Sequence, residues 1–147
     1  MLTLFHFFRR SKNRIRTAVY KRLFKKCGKE LRILGKVSIN RPENIIIGTN
    51  VALNEGVYFN SRDLLQIGDH VHISPFCVVN TGSLDYTKKL EKRKHVSKGV
   101  IIEDGVWLGS GVIINPGVTI GENSVVGAGS IVTKSIPKNV VAFGNPA

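Results

Sequence analysis

His70, His72 and His95 are the residues of this chain best suited to move a proton, because imidazole changes charge near neutral pH. A histidine that accepts the proton of a hydroxyl turns a poor nucleophile into a competent one. His70 and His72 stand two apart in "IGDHVH", a spacing that points both side chains to one face of a strand. That pair offers two metal ligands, and His95 would be a third. His95 lies near the end of "TGSLDYTKKLEKRKHVSKG", Thr81 to Gly99, which also holds Asp85 and the cations Lys88, Lys89, Lys92, Arg93, Lys94 and Lys98. Asp85 suits the orienting of a histidine or of an acceptor hydroxyl. The cations read either as a solvated loop or as a positive field that draws in an anionic substrate. Cys27 and Cys77 have neither metal-ligand nor disulfide-framework spacing, so a reducing compartment is the default.

The elements that must hold these residues follow from a repeat. From Ile102 the chain reads "IEDGVW LGSGVI INPGVT IGENSV VGAGSI VTKSIP". The first position of each block is Ile102, Leu108, Ile114, Ile120, Val126 and Val132. The fifth is Val106, Val112, Val118, Ser124, Ser130 and Ile136, and the second is mostly Gly or Asn. The same rhythm runs upstream as "IGTNVA LNEGVY FNSRDL", slips by two residues, and resumes as "IGDHVH ISPFCV VNTG". A helix of 3.6 residues per turn does not produce a strict six. A short strand and a turn on each side of a three-sided prism does, with the first-position aliphatics stacked inside, rung on rung. The expected fold is therefore an all-β solenoid, a parallel β-helix over 31–147, with Gly and Asn at positive-φ corners. The stretch 81–99 is an extruded loop.

Ahead of the coils, residues 1–30 hold ten Lys/Arg against one acid, Glu30, so they carry +9 of the formal net charge of +12. The apolar set Leu4, Phe5, Phe8, Ile15, Val19, Leu23 and Phe24 has partly helical spacing, which predicts a basic amphipathic helix over 2–26 that stops at Cys27-Gly28. Two roles suit it: capping the end of the solenoid, or docking on an anionic inner-leaflet membrane through residues 1–26. No recognition motif supports nucleic acid as a partner. No run of 18 apolar residues is present, and the positive charges follow the first apolar stretch, the reverse of a signal peptide. The expected location is the cytoplasm, with a peripheral place at the inner membrane surface as the extension of it.

"VWLGSGVIINPGVTIG" followed by "VVGAGSIVTKSIP" and "GNPA" resembles the hexapeptide-repeat acyltransferases, above all the maltose/galactoside O-acetyltransferase branch and its relatives that acetylate surface polysaccharides. Hexad-type sequence covers roughly 45–147. The resemblance implies a left-handed β-helix, a homotrimer, and acetyl-CoA as co-substrate with no metal. It implies transfer of the acetyl group to a sugar hydroxyl of a surface polysaccharide or its precursor. Carried over residue by residue, Trp107 lies near the reacting end of acetyl-CoA, Ser110 and Ala128 line the pantetheine arm, and Thr133 and Lys134 lie at the nucleotide end. Asn54 contacts the acceptor, and His72 and Asp85 are further acceptor candidates.

The general base departs from the pattern. Many polysaccharide acetyltransferases of this group read "TGSHDY", with that His as base, and here the slot is Leu84. Three readings follow. His95 serves as base from later in the same loop, a placement that resembles relatives combining "TGSLD" with a later His. His72 serves from the neighbouring coil. Or no histidine serves, and the chain is a non-catalytic β-helix that binds CoA or a partner. A small-molecule acetyltransferase, or a β-helix holding a metal through His70, His72 and His95 in the manner of carbonic anhydrases, completes the alternatives. His70 itself reads most simply as an exposed corner residue.

Overall fold

An aliphatic residue at every sixth position, paired with another two residues before it, directs two side chains inward from each side of a prism. The computed structural model describes residues 2–147, with side chains from Ser11 onward. It is a left-handed parallel β-helix preceded by one helix, α1 (Leu2–Leu23). The first turn contains β1 (Lys26–Cys27), β2 (Arg32–Ile33) and β3 (Ser38–Asn40). The second contains β4 (Ile45–Ile47), β5 (Ala52–Leu53) and β6 (Tyr58–Asn60), and the third β7 (Leu65–Ile67), β8 (His72–Ile73) and β9 (Val78–Asn80). There a hairpin leaves the solenoid, β10 (Gly82–Leu84) and β11 (His95–Ser97). The chain resumes with β12 (Val100–Ile102), β13 (Trp107–Leu108) and β14 (Ile113–Ile114), then β15 (Thr119–Ile120), β16 (Val125–Val126), β17 (Ile131–Val132) and β18 (Val141–Ala142). Parallel ladders join successive turns into three faces: β1-β4-β7-β12-β15, β2-β5-β8-β13-β16-β18, and β3-β6-β9-β14-β17.

The core is the stack that the repeat predicts. Ile102, Leu108, Ile114, Ile120, Val126 and Val132 are fully buried, and so are Val106, Val112 and Val118 two residues before their neighbours. Ser124 and Ser130 take the same inward place in the last full turn. Ser124 Oγ donates to the Pro137 carbonyl at 2.7 Å and accepts from the Val140 amide, and Ser130 Oγ accepts from the Gly144 amide at 3.1 Å. These buried hydroxyls pin the irregular chain that closes the end of the prism, where a methyl group would leave amides unpaired.

The corners correct one expectation. Where a hexad corner has positive φ, the residue is the fourth, not the second: Asn50, Gly56, His70, Phe76, Gly105, Gly111, Gly117, Asn123 and Gly129. The second-position glycines answer to crowding between turns. A Cβ on Gly109 would stand 2.6 Å from the Ala128 amide nitrogen, inside van der Waals contact. The two-residue slip also has a place. The corner between the third and first faces is wide in the early turns, occupied by Asn40–Asn44, then Ser61–Leu64, then the whole hairpin after Thr81. Side chains bridge it: Asn44 Nδ2 donates to the Ser61 carbonyl at 2.9 Å, and Thr81 Oγ1 accepts from the Asp63 amide and donates to the Asn60 carbonyl.

Helix α1 covers the open edge of the first turn. The Ile33 amide donates to Thr17 Oγ1 at 3.2 Å, and Arg16 Nη1 donates to the Gly35 carbonyl at 2.7 Å. Phe24 is buried, with Tyr20 stacked on it at 5.8 Å between ring centroids. The helix stops at Leu23, short of Cys27-Gly28, because Lys26 and Cys27 already pair with Ile46 and Ile47. Of the apolar set, Phe24 joins the core while Ile15, Val19 and Leu23 face outward; the side chains of Leu4, Phe5 and Phe8 lie outside the described ones. Replacing Leu108→Ala in the middle of the stack should cost about 2–5 kcal/mol, read as a lowered denaturation midpoint. A loss under about 0.5 kcal/mol would contradict the stacked-core account, because that is the scale of ordinary surface changes.

Candidate functional site

The ladder of the hairpin is short, its two strands pairing over only three positions: Gly82 with Ser97, Ser83 with Val96, and Leu84 with His95. Directly opposed residues of an antiparallel ladder project from the same face, with Cβ atoms about 5 Å apart. His95 therefore stands across the ladder from Leu84, beside the position where the resemblance expects a base. Both side chains are exposed. Asp85 is turned elsewhere: its Oδ1 accepts from the Thr87 amide at 3.0 Å and from Thr87 Oγ1 at 2.6 Å, closing the turn that carries the chain toward the hairpin tip. The Asp85 amide donates to the Lys94 carbonyl at 2.9 Å.

Two clefts flank the hairpin. The one toward the N-terminal turns, about 360 Å³, is lined by Asn40, Tyr58, Asn60, Arg62, Ser83, Leu84 and His95, and Asn40 Nδ2 donates to the Tyr58 hydroxyl at 2.9 Å. Its wall is rich in hydroxyl- and amide-bonding groups around a single imidazole. The one toward the C-terminal turns, about 720 Å³, is lined by Asn80, Asp85, Thr87, Lys98, Asn115 and Thr133 among others. Asn40, Asn60 and Asn80 are partners in register, one in each of three successive turns. Sequence reasoning missed Asn40, Tyr58, Asn60 and Arg62. The signal was present as an asparagine at every twentieth position, 40, 60 and 80, each at the outward end of its strand.

The remaining candidates lie on other parts of the prism. Trp107 projects from the second face in register with His72 and Val125; its ring is half exposed and Nε1 donates to Ser74 Oγ at 3.0 Å. Ser110 and Ala128 follow as the exposed corner residues of two successive turns, tied by the Gly129 amide donating to the Ser110 carbonyl at 2.8 Å. Their small side chains leave that corner open to close approach. Asn54 Nδ2 contacts His72 Nε2 at 3.2 Å and donates to the Ile73 carbonyl at 2.9 Å. An amide nitrogen only donates, so His72 Nε2 is the accepting side of this contact. His70 occupies its corner at φ 57°, with Nδ1 against Asn50 Nδ2 at 2.9 Å. Thr133 and Lys134 are exposed at the corner after β17, and Thr133 reaches the larger cleft. Beneath the Ser110 corner, Cys77 Sγ donates to the Gly109 carbonyl at 3.1 Å, and burial pushes its thiol up, which keeps it protonated and unsuited to attack.

One chain therefore brings Leu84 and His95 together, and Asn54, His72 and Trp107 together, but not the two sets. Trp107, Ser110 and Ala128 lie at or before one edge of the third face, and the hairpin leaves from the other edge. Among the described residues no group of three or more His, Cys, Asp or Glu is placed to hold a metal ion.

The bacterial transferase hexapeptide family (six repeats) matches residues 99–134. Among solved structures, a hexapeptide-repeat-containing acetyltransferase from Vibrio cholerae O1 biovar eltor, complexed with acetyl coenzyme A, aligns at TM-score 0.81 and 33% identity, over 88% of this chain and 71% of that one. A maltose O-acetyltransferase from Clostridium difficile 630 aligns at TM-score 0.81 and 37% identity, over 88% and 70% of the two chains. A galactoside acetyltransferase in complex with coenzyme A aligns at TM-score 0.80 and 38% identity, over 86% and 64%. Comparison with curated protein sequences gives no match. With a third or more of its residues shared across most of the first two of these chains, and the repeat match lying on the turns that carry Trp107, Ser110 and Ala128, the chain belongs to the hexapeptide-repeat acetyltransferases.

Proposed function

We propose that the protein transfers an acetyl group from acetyl-CoA to a sugar hydroxyl of a surface polysaccharide or its precursor, in the cytoplasm, with His95 as general base. The observation that carries the assignment is the Leu84–His95 pair, which sets an imidazole across the ladder from the slot that Leu84 vacates. The reading of a non-catalytic β-helix rested on Leu84, and His95 supplies what Leu84 lacks. The relatives above, named for maltose and galactoside acetylation, support a sugar acceptor.

In this reading the smaller cleft takes the acceptor. Asn40, Tyr58, Asn60 and Arg62 hydrogen-bond its hydroxyls, and His95 takes the proton of the reacting one as that oxygen bonds to the thioester carbonyl carbon. The C–S bond then breaks, the ester is released, and the proton on His95 passes to the departing thiolate. No covalent enzyme intermediate forms. Trp107, Ser110 and Ala128 hold the pantetheine end of the co-substrate, where two small residues permit close contact, and Thr133 and Lys134 meet the nucleotide end, Lys134 as a point charge for phosphate. Because the third face stands between Trp107 and His95 in one chain, the complete site pairs the Trp107 corner of one protomer with the hairpin of another. That need supports a homotrimer.

His95→Ala should lower kcat/KM by roughly 10²–10⁴-fold with binding of acetyl-CoA unchanged, measured as thiol release with a panel of sugars and glycans. Full activity in that variant would remove His95 from the base role. The paired variant His95→Ala/Leu84→His returns an imidazole to the facing position and should recover part of the lost rate. Recovery absent from a folded double variant that still binds acetyl-CoA would show that the two positions do not share a face. Trp107→Ala should raise the KM for acetyl-CoA while the KM for the acceptor stays put; the opposite split would exchange the two sites.

A further inference from the structure

The outer surface of α1 is not that of a simple end cap. A helix that only terminates a solenoid presents a polar face to water. Here Asn13, Arg16, Thr17, Tyr20 and the following Phe24 turn toward the first turn, and Ile15, Val19 and Leu23 are left 63%, 50% and 48% exposed. They are spaced four apart, so they form one continuous aliphatic stripe, about 12 Å long at 1.5 Å per residue. Lys12 and Arg22 are exposed around it, Lys25 and Lys26 follow, and no acid occurs before Glu30. The other flank of the helix repeats the pattern. A groove of about 400 Å³ runs between α1 and β2, floored by Ala18, Leu31, Ile33 and Leu34 and rimmed by Arg14, Lys21 and Arg32. Both flanks thus join apolar surface to unopposed positive charge.

We infer that α1 docks this protein on an anionic phospholipid bilayer, with the Ile15–Val19–Leu23 stripe set among the acyl chains and the surrounding cations at the level of the headgroups. Charge selects this occupant. A second copy of the helix would bring the same cations against the same stripe, and a neutral apolar partner would leave them without counter-charge. A bilayer supplies an apolar layer beneath a negative one, and the long Lys and Arg stems reach from the first to the second. The placement also bears on the reaction, on the reading that the His95 cleft takes the acceptor. Asn40 of that cleft belongs to the first turn, the turn that α1 covers, and Tyr58, Asn60 and Arg62 to the next. Turns stack about 4.8 Å apart, so the acceptor cleft opens close to the membrane end of the solenoid, which suits an acceptor carried on a lipid.

Vesicle flotation of the full chain tests the docking independently of catalysis. The wild type should float with phosphatidylcholine vesicles doped with phosphatidylglycerol, not with phosphatidylcholine alone, and added salt should weaken the association. The triple variant Ile15→Gln/Val19→Gln/Leu23→Gln changes only exposed positions; it should bind the anionic vesicles roughly tenfold more weakly, with unchanged circular dichroism and sedimentation mass. Wild type that does not float, or a triple variant that binds as well as wild type, overturns the proposal. A triple variant of altered sedimentation mass also overturns it, by identifying the stripe as a contact between copies. Acetyl transfer to a soluble sugar, measured in the same variant, should be unchanged, so loss of docking and failure of the acetyltransferase reading give different results.

Discussion

Every turn of this solenoid is an edge until the next turn covers it. Backbone amides and carbonyls of one rung find their partners only in the rungs above and below, and the inward aliphatics are buried only when the column continues. Regularity inside the prism is the consequence, and so is the special chemistry at its ends. At one end Thr17 and Arg16 of α1 offer a hydroxyl and a guanidinium to the unpaired backbone of Ile33 and Gly35. At the other, Ser124 and Ser130 replace aliphatics in the column and hold the closing chain by its backbone. Both ends use polar side chains to close the column, whereas the middle turns use them to bridge the wide corner.

The same constraint decides where function can be placed. The strands are committed to stacking, so the corners carry the variation. The corner between the second and third faces is tight, and small residues there, Ser110 and Ala128, leave a surface that a slender ligand can lie along. The corner between the third and first faces is wide in the first three turns, and the hairpin is the largest of these successive widenings. Its short ladder sets His95 over a wall of Asn40, Tyr58, Asn60 and Arg62, which are fixed by the underlying sheet and not by the loop. In the proposed reaction, a base carried on a hairpin above a wall set by the sheet is a workable division, because precision is needed most where several hydrogen bonds must be made at once.

The repeat was legible from residue types alone because burial in a solenoid depends on one spacing. Ile102, Leu108 and Ile114 announce the column without any knowledge of distant contacts. Glycine was harder to read. Gly105 is present for its positive φ and Gly109 because Ala128 of the next turn leaves no room for a Cβ, and the two causes look alike in a hexad. The asparagines at 40, 60 and 80 were visible as a period but not as a wall, because their meaning depends on which corner they border. Asp85 read as a candidate beside the site, yet its carboxylate closes a local turn with Thr87.

"TGSLDYTKKLEKRKHVSKG" shows where the two kinds of information part. The chain by itself determined that the rhythm stops at Thr81 and resumes near Gly99, and that Leu84 and His95 lie in the same excursion. Only the tertiary structure decided that Leu84 and His95 face each other, since that rests on the register of a three-pair ladder and not on the eleven residues between them. It alone decided that Trp107 lies across the third face from that hairpin, and that Ile15, Val19 and Leu23 point outward while Phe24 points in. The physical reason is common to all of these. A stacked column is specified by spacing along the chain, whereas which surfaces meet is specified by the angles at which corners, ladders and a capping helix leave that column.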